Sequence, residues 1–317
     1  HDEVTRQSTF IIFSLDCILF TPDLQSQSCI QVPDHLPSHV YHQLNSLSKM
    51  PFAKVNYKQI YYKDWSPKDG STPRATLVMS HGLGSSNNYY TSVVPFLTEQ
   101  GYRCVCFDMT GSGRSPYTYV EQSIHTLAGD VVTLMDVLSI DKAVFVGHSM
   151  SGVVGPELAA EWPDRVRGLI LVGPVWPNPE VAPVFEDRIN KVAEKGMEVM
   201  ADTVPYAAVG SKATSLHHAF IRELLSGMTP AGYISLCRVI ANAYKSPPKY
   251  EKVSCATLII AGEEDKSAPL SGCKKIIEAL GSEKKDMVVM DKCGHWHCIE
   301  GPEEVGKLSL DFLKQIS

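Results

Sequence analysis

Short apolar runs alternate with segments of helical period along most of this chain. ATLVMSHG (75–82), YRCVCFD (102–108), AVFVGHS (143–149), VRGLILVGP (166–174) and ATLIIAGEED (256–265) each carry a nearly continuous apolar block that ends in Gly, Ser or an acid. Blocks of that kind suit strands buried on both faces. Between them, YYTSVVPFLTEQG (89–101), SIHTLAGDVVTLMDVLSI (123–140), SGVVGPELAAEWP (151–163), LSGCKKIIEALG (270–281) and EEVGKLSLDFLKQI (303–316) place apolar residues at helical spacing, the first closed by Gly101. KVNYKQIYYKDW (54–65) alternates and predicts an early strand or hairpin arm, and DMVVMDKCGHWH (286–297) a last strand and its loop.

The alternation breaks once. Residues 175 to 250 hold helical patterns such as VFEDRINKVAEKGMEVMADTV and HHAFIRELLSG, and no convincing strand. Strands alternating with helices predict an α/β fold with a mostly parallel, doubly wound sheet. The interlude predicts an inserted helical cap. The expected domains are therefore a core of 50–174 and 251–317, a cap of 175–250, and a weakly ordered extension over 1–49. That extension holds TFIIFSLDCILF, an apolar stretch interrupted by Asp16, with neither a basic start nor a small-residue cleavage site.

Composition narrows the class. Hydrophobic residues make up 44% and charged residues 20%, as in ordinary globular chains, and the net charge is −6. An acidic chain lacks the basic surface that nucleic acid or an anionic membrane requires, so neither is expected as partner. No apolar stretch approaches the roughly 18 to 20 residues of a membrane span. Nine scattered cysteines, with no CxxC pair, suit a reduced compartment, and a cytoplasmic location is expected.

In open parallel sheets, ligands bind beyond the carboxyl ends of the strands. His81-Gly82-Leu83-Gly84, Asp108, Ser149, the acids Glu263, Glu264 and Asp265, and His295 all follow strand ends. A serine, an acid and a histidine thus reach one edge in the order of the nucleophile-elbow hydrolases. A serine hydroxyl is a weak nucleophile until a base takes its proton. A tight turn after the strand would lift Ser149 toward such a base, and it needs small neighbours. Gly147, Ser151 and Gly152 supply them, with Ser151 where the G-x-S-x-G pattern asks for glycine.

From about Met50 onward the blocks HGLGSS, FDMTGSGRSP, VGHSMSG, AGEEDKSAP and GHWHCIEGPEEV resemble an α/β-hydrolase with a helical cap. The nearest group is similar to the 3-oxoadipate enol-lactonases, many of them fungal. The resemblance implies Ser149 as nucleophile, His295 as base and Asp265 as the acid that orients it. It implies an oxyanion hole made by the backbone N–H groups of Leu83 and Met150, with no cofactor and no metal. The expected activity is hydrolysis of a small-molecule carboxylic ester or lactone through an acyl-enzyme. Alternatives on the same residues are a carbon–carbon bond hydrolase or cofactor-free relative, and a slow-turnover ligand receptor. A nucleotide-dependent oxidoreductase, suggested by GLGSSN with Asp108 after the next strand, leaves Ser149, Asp265 and His295 without a role.

Several residues also have plainer readings. His81 suits a hydrogen-bonding role beneath the oxyanion loop, and His148 a packing role on the elbow. His297 reads as a packing or surface residue, since a His295–His297 metal pair lacks a third ligand. Asn87 and Asn88 read as a helix start. Trp176, Met197, Met200, Tyr206 and Tyr233 would either wall an apolar chamber or fill the cap's own interior. Arg188, Lys191, Arg222 and Arg238 are the cap cations that an acidic substrate would need. No sequence feature specifies an oligomeric state.

Overall fold

The computed structural model describes residues 51–316. The expected extension over 1–49 lies outside the described residues. Eight strands form one sheet: β1 (Phe52–Val55), β2 (Lys58–Trp65), β3 (Thr76–Ser80), β4 (Arg103–Phe107), β5 (Ala143–His148), β6 (Val166–Val172), β7 (Ala256–Gly262) and β8 (Lys285–Met290). Their spatial order is β1-β2-β4-β3-β5-β6-β7-β8. The pairs β1/β2 and β2/β4 are antiparallel and every other pair is parallel. The mostly parallel sheet read from the apolar blocks is what the chain forms.

Burial follows position in the sheet. All six residues of β5 are buried, as a central strand covered on both faces requires. β8 is an outer strand, and its Lys285, Asp286 and Val289 are exposed. Charged residues on an outer strand discourage pairing with another chain.

The helices are α1 (Val94–Thr98), α2 (Ile124–Val137), α3 (Ser151–Glu161), α4 (Ala182–Lys195), α5 (Glu198–Ala207), α6 (Ser215–Ser226), α7 (Pro230–Asn242), α8 (Leu270–Ala279), α9 (His297–Glu300) and α10 (Pro302–Gln315). α2 begins where Ser123 and Thr126 cap each other: the Ser123 hydroxyl accepts from the Thr126 N–H, and the Thr126 hydroxyl from the Ser123 N–H. α4 to α7 all lie between β6 and β7, and no strand interrupts them among the described residues.

Two helical readings were too long. In place of a helix over 89–101 the chain forms a short 3₁₀ turn, Asn87–Tyr90, and then the five-residue α1. A continuous helix would put Pro95 in its interior, where it cannot donate to the carbonyl four residues back. It would also pull Tyr89 and Tyr90 from the core, where both are buried and the Tyr90 hydroxyl donates to the Ser80 carbonyl at 2.8 Å. The 184–204 pattern is likewise two helices, because Gly196 adopts φ 73° between α4 and α5.

Candidate active site

The chain turns sharply at the end of β5. Ser149 sits at φ 56°, in the left-handed region. A non-glycine residue there costs about 1–3 kcal/mol unless its surroundings enforce the conformation. They do so here: the Ser149 N–H donates to the Val172 carbonyl of the adjacent strand, and its own carbonyl accepts from the Gly152 N–H, both at 2.9 Å. A Cβ on Gly147 would lie 2.2 Å from the Ser151 carbonyl oxygen, and one on Gly152 2.6 Å from Pro174 Cβ, so neither position has room for a side chain. Ser151 is fully buried. Its hydroxyl donates to the His81 carbonyl at 2.6 Å and lies 2.8 Å from the Ser80 hydroxyl. A glycine could not make these contacts, which tie the start of α3 to the loop after β3.

Ser149, His295 and Asp265 are brought into line. Ser149 Oγ lies 2.9 Å from His295 Nε2, and His295 Nδ1 lies 2.8 Å from Asp265 Oδ2. A carboxylate can only accept, so Nδ1 carries the imidazole proton and Nε2 faces the serine as acceptor. Asp265 also accepts the Ser267 and Ala268 N–H groups on Oδ1, each at 2.8 Å. Burial pushes its pKa up, but the adjacent His295 imidazole and these hydrogen bonds outweigh that and hold it below the usual carboxylate range. The neighbouring acids face elsewhere. Glu263 accepts the Lys292 N–H, and Glu264 accepts both the N–H and the hydroxyl of Ser211.

The loop after β3 passes directly over the serine. A Cβ on Gly82 would stand 2.8 Å from Ser149 Cβ and 2.7 Å from His148 Nδ1. Leu83, the next residue, borders the same cavity as Ser149. Among the described residues, no backbone partner accepts from the N–H groups of Leu83 or Met150. His81 is buried beneath this loop, and burial lowers its pKa. Its Nε2 accepts the Met109 N–H at 3.2 Å, so Nδ1 is the donor to the Gly82 carbonyl at 2.8 Å. This is the hydrogen-bonding position expected of it.

Two further histidines grip the backbone of His295. His148 Nε2 and His297 Nδ1 both donate to the His295 carbonyl, at 2.8 and 3.0 Å. Burial drives the His148 imidazole well below the ordinary histidine value, reinforced by the nearby His295 and His297 rings. Burial likewise takes His297 down to about 4. Both are neutral near pH 7, as donors to one shared carbonyl can be. His297 is a packing residue, fully buried under Gly173, where a Cβ would come within 2.6 Å of its ring. Among the described residues, no group of three His, Cys, Asp or Glu side chains could hold a metal ion.

Asp108 is enclosed by its own chain. It accepts the Asn87 N–H and side-chain amide at 2.6 and 2.7 Å, and the Arg114 N–H at 2.8 Å. Its carboxylate fastens the loops after β3 and β4 and is not offered to a ribose, which removes the geometric basis for a dinucleotide site.

A cavity of about 510 Å³ opens onto Ser149 and His295. Trp176 and Tyr233 line it; Met197 and Met200 are buried outside its lining, and Tyr206 is 70% exposed, so the five candidates divide between wall, interior and surface. Of the four expected cations only Arg188 lines the cavity. Lys191 pairs with Asp187, Arg222 with Asp202 and Glu198, and Arg238 is exposed. Among the described residues Arg188 makes no ion pair; its guanidinium lies over the Phe185 ring at 5.1 Å. Lys266 and Lys275 also border the cavity and were not foreseen, although Lys266 directly follows Asp265 at the carboxyl edge of the sheet. Among the described residues, no single helix is long and apolar enough to cross a membrane.

The family model described as "Serine aminopeptidase, S33" matches residues 71–301. The 2-hydroxy-6-oxo-6-phenylhexa-2,4-dienoate hydrolase of Comamonas testosteroni is 27% identical over 289 residues, covering 83% of this chain and 96% of that protein. The crystal structure of the enol-lactonase from Burkholderia xenovorans LB400 superposes with a TM-score of 0.75 at 27% identity, covering 83% of this chain and all of that one. An esterase from Exiguobacterium antarcticum has the same fold, with a TM-score of 0.75, 18% identity and 84% of this chain covered.

Proposed function

The chain belongs to the serine aminopeptidase S33 family, within the α/β-hydrolase superfamily, and from that membership we propose that this hydrolase cleaves a small carboxylic ester or lactone through an acyl-enzyme on Ser149. The observation that carries the reading is the unbroken line from Ser149 Oγ to His295 Nε2 at 2.9 Å and from His295 Nδ1 to Asp265 at 2.8 Å, at the floor of the cavity.

The steps follow from that line. Ser149 Oγ attacks the carbonyl carbon while His295 Nε2 takes its proton. The charge that develops on the carbonyl oxygen is met by the backbone N–H groups of Leu83 and Met150. A donor of this kind is worth about 2.7–4 kcal/mol of barrier lowering. His295 then protonates the departing oxygen, and Asp265 stabilises the imidazolium that exists between the two transfers. A water activated by the same imidazole releases the acid and restores the hydroxyl. Residues 175–250 act as a cap whose inner face chooses the substrate.

Arg188 indicates the substrate's character. A half-buried guanidinium without a carboxylate of its own is a site for one brought by the ligand. With Lys266 and Lys275 at the same cavity, against Glu180 alone among the acids of the described residues, it favours an ester or lactone that carries a carboxylate. This agrees with placement near the enol-lactonase group, supported by the solved relative at 27% identity.

A second reading, cleavage of a carbon–carbon bond on the same three residues, is favoured by the Comamonas testosteroni relative, whose named substrate is a 6-oxo dienoate. A panel of p-nitrophenyl esters, lactones and such dienoates separates the two. Ser149→Ala is expected to abolish turnover of the preferred substrate while the folded state survives. Near-normal turnover by that variant would refute both readings.

A further inference from the structure

The carboxylate of Glu300, at the end of α9, has three backbone partners. Oε2 accepts the N–H of Gly210 at 2.7 Å and of Gly294 at 2.9 Å, and Oε1 accepts the N–H of Trp296 at 2.9 Å. Gly294 and Trp296 flank His295. Gly210 lies 90 positions away from Glu300, in the segment joining α5 to α6. Two residues before it, the Ala208 carbonyl accepts the N–H of His295 itself at 2.8 Å. One side chain therefore holds both neighbours of the base and the strip of helical insertion that touches the base directly.

The same strip meets the acid's loop and the base's loop at other points. Ser211 bonds Glu264, next to Asp265, and Lys212 pairs with Asp291. The backbones are close enough that only glycine fits on either side. A Cβ on Gly210 would lie 2.2 Å from the Lys292 carbonyl oxygen, and one on Gly294 2.4 Å from Gly210 N. Ala207 and Ala208 also line the cavity, so movement of this strip would change the cavity wall and the support of His295 together.

We propose that Glu300 is a positioning residue that pins the 208–210 strip to the His295 loop, so that seating of the helical insertion and alignment of the base are one event. The proposal rests on the reading of His295 as the base. Its chemistry is specific to a carboxylate. Three N–H groups need two acceptor oxygens, and a glutamine offers one oxygen and turns its NH₂ toward a remaining N–H. Glu300→Gln keeps the volume and removes the function, which separates positioning from packing.

The test measures kcat per site labelled by a fluorophosphonate, together with hydrogen exchange, in the wild type, Glu300→Gln and Gly210→Ala. Misplacing a reacting group by about 1 Å costs roughly 100-fold, so a fall in kcat of about 10- to 100-fold is expected for Glu300→Gln. Exchange should rise at once in the peptides covering 208–212 and 292–297. Gly210→Ala displaces the strip with Glu300 intact and should give the same pair of effects, which keeps the test alive if the glutamine variant folds poorly. A packing residue would lower the melting temperature and leave kcat per labelled site unchanged. That outcome, or faster exchange in only one of the two peptides, overturns the proposal. Ser149→Ala and His295→Ala serve as controls: if either retains turnover, the reading on which this proposal rests has failed, whatever Glu300 does.

Discussion

The floor and the roof of the cavity are built differently. On the sheet side Ser149, Asp265 and His295 are each held by several short bonds. Ser149 is fixed through its N–H and carbonyl, Asp265 through two N–H groups and His295, and the His295 backbone through His148, His297 and Ala208. On the helical side the wall is mostly apolar side chains of α4 to α7, such as Phe185, Leu225 and Ile240, with Arg188 the one charged group these helices contribute. Fixed polar geometry suits chemistry that tolerates little displacement. An apolar wall with one cation can alter its ligand by single substitutions without disturbing the floor. Substitutions in the floor are therefore expected to act on kcat, and those in the roof away from the 208–210 strip on KM.

The largest effect should come from the floor. Asp265→Asn keeps the shape of the site but offers an amide where the Nδ1–H must donate, and turns His295 toward the wrong tautomer. Loss of kcat of about 10,000-fold is expected, with KM little changed. If kcat falls less than about tenfold, the floor is not what sets the rate. On the roof, Arg188→Gln should raise KM about 10- to 100-fold for carboxylate-bearing substrates, the worth of a charged hydrogen bond, and leave neutral esters alike in both proteins. An equal loss on neutral and acidic substrates would erase the distinction between the two walls.

A smaller effect separates the floor's support from its chemistry. Burial holds His297 at about 4, against an ordinary 6.5. Between those values the unfolded chain binds the proton that the folded one refuses, so stability is fully present above pH 6.5 and declines as pH falls to 4. The shift amounts to on the order of 3 kcal/mol. His297→Asn should flatten the acid limb of stability in that window, read by urea melts at several pH values. His81 and His148, also lowered by burial, should leave a residual slope. An unchanged slope would mean that His297 is not neutral and buried in the folded state.

The floor was also the more legible half. The buried strands announce themselves as continuous apolar blocks because a strand covered on both faces has no polar side. Chain order then delivers Ser149, the acids and His295 to one edge. Choosing Asp265 over Glu263 and Glu264 was beyond spacing, since all three follow β7 and only the loop's path decides which carboxylate meets the imidazole. The roof was harder. Arg188, Lys191 and Arg222 sit on helices of similar composition, and which one faces the cavity depends on how α4 packs against α7. The break at Gly196 interrupts what reads as one helical pattern. Glu300 leaves no local signal, because its partners are backbone N–H groups and one of them is 90 positions distant.

The most direct test of the central claim is to map where an acyl-type covalent probe attaches. A fluorophosphonate incubated with the protein, followed by mass analysis of its peptides, should place one adduct on Ser149. His295→Ala should slow that attachment about 10,000-fold, and Ser149→Ala should abolish it. An adduct on another residue, or attachment at the same rate without the imidazole, would contradict the account of Ser149 as a nucleophile activated by His295.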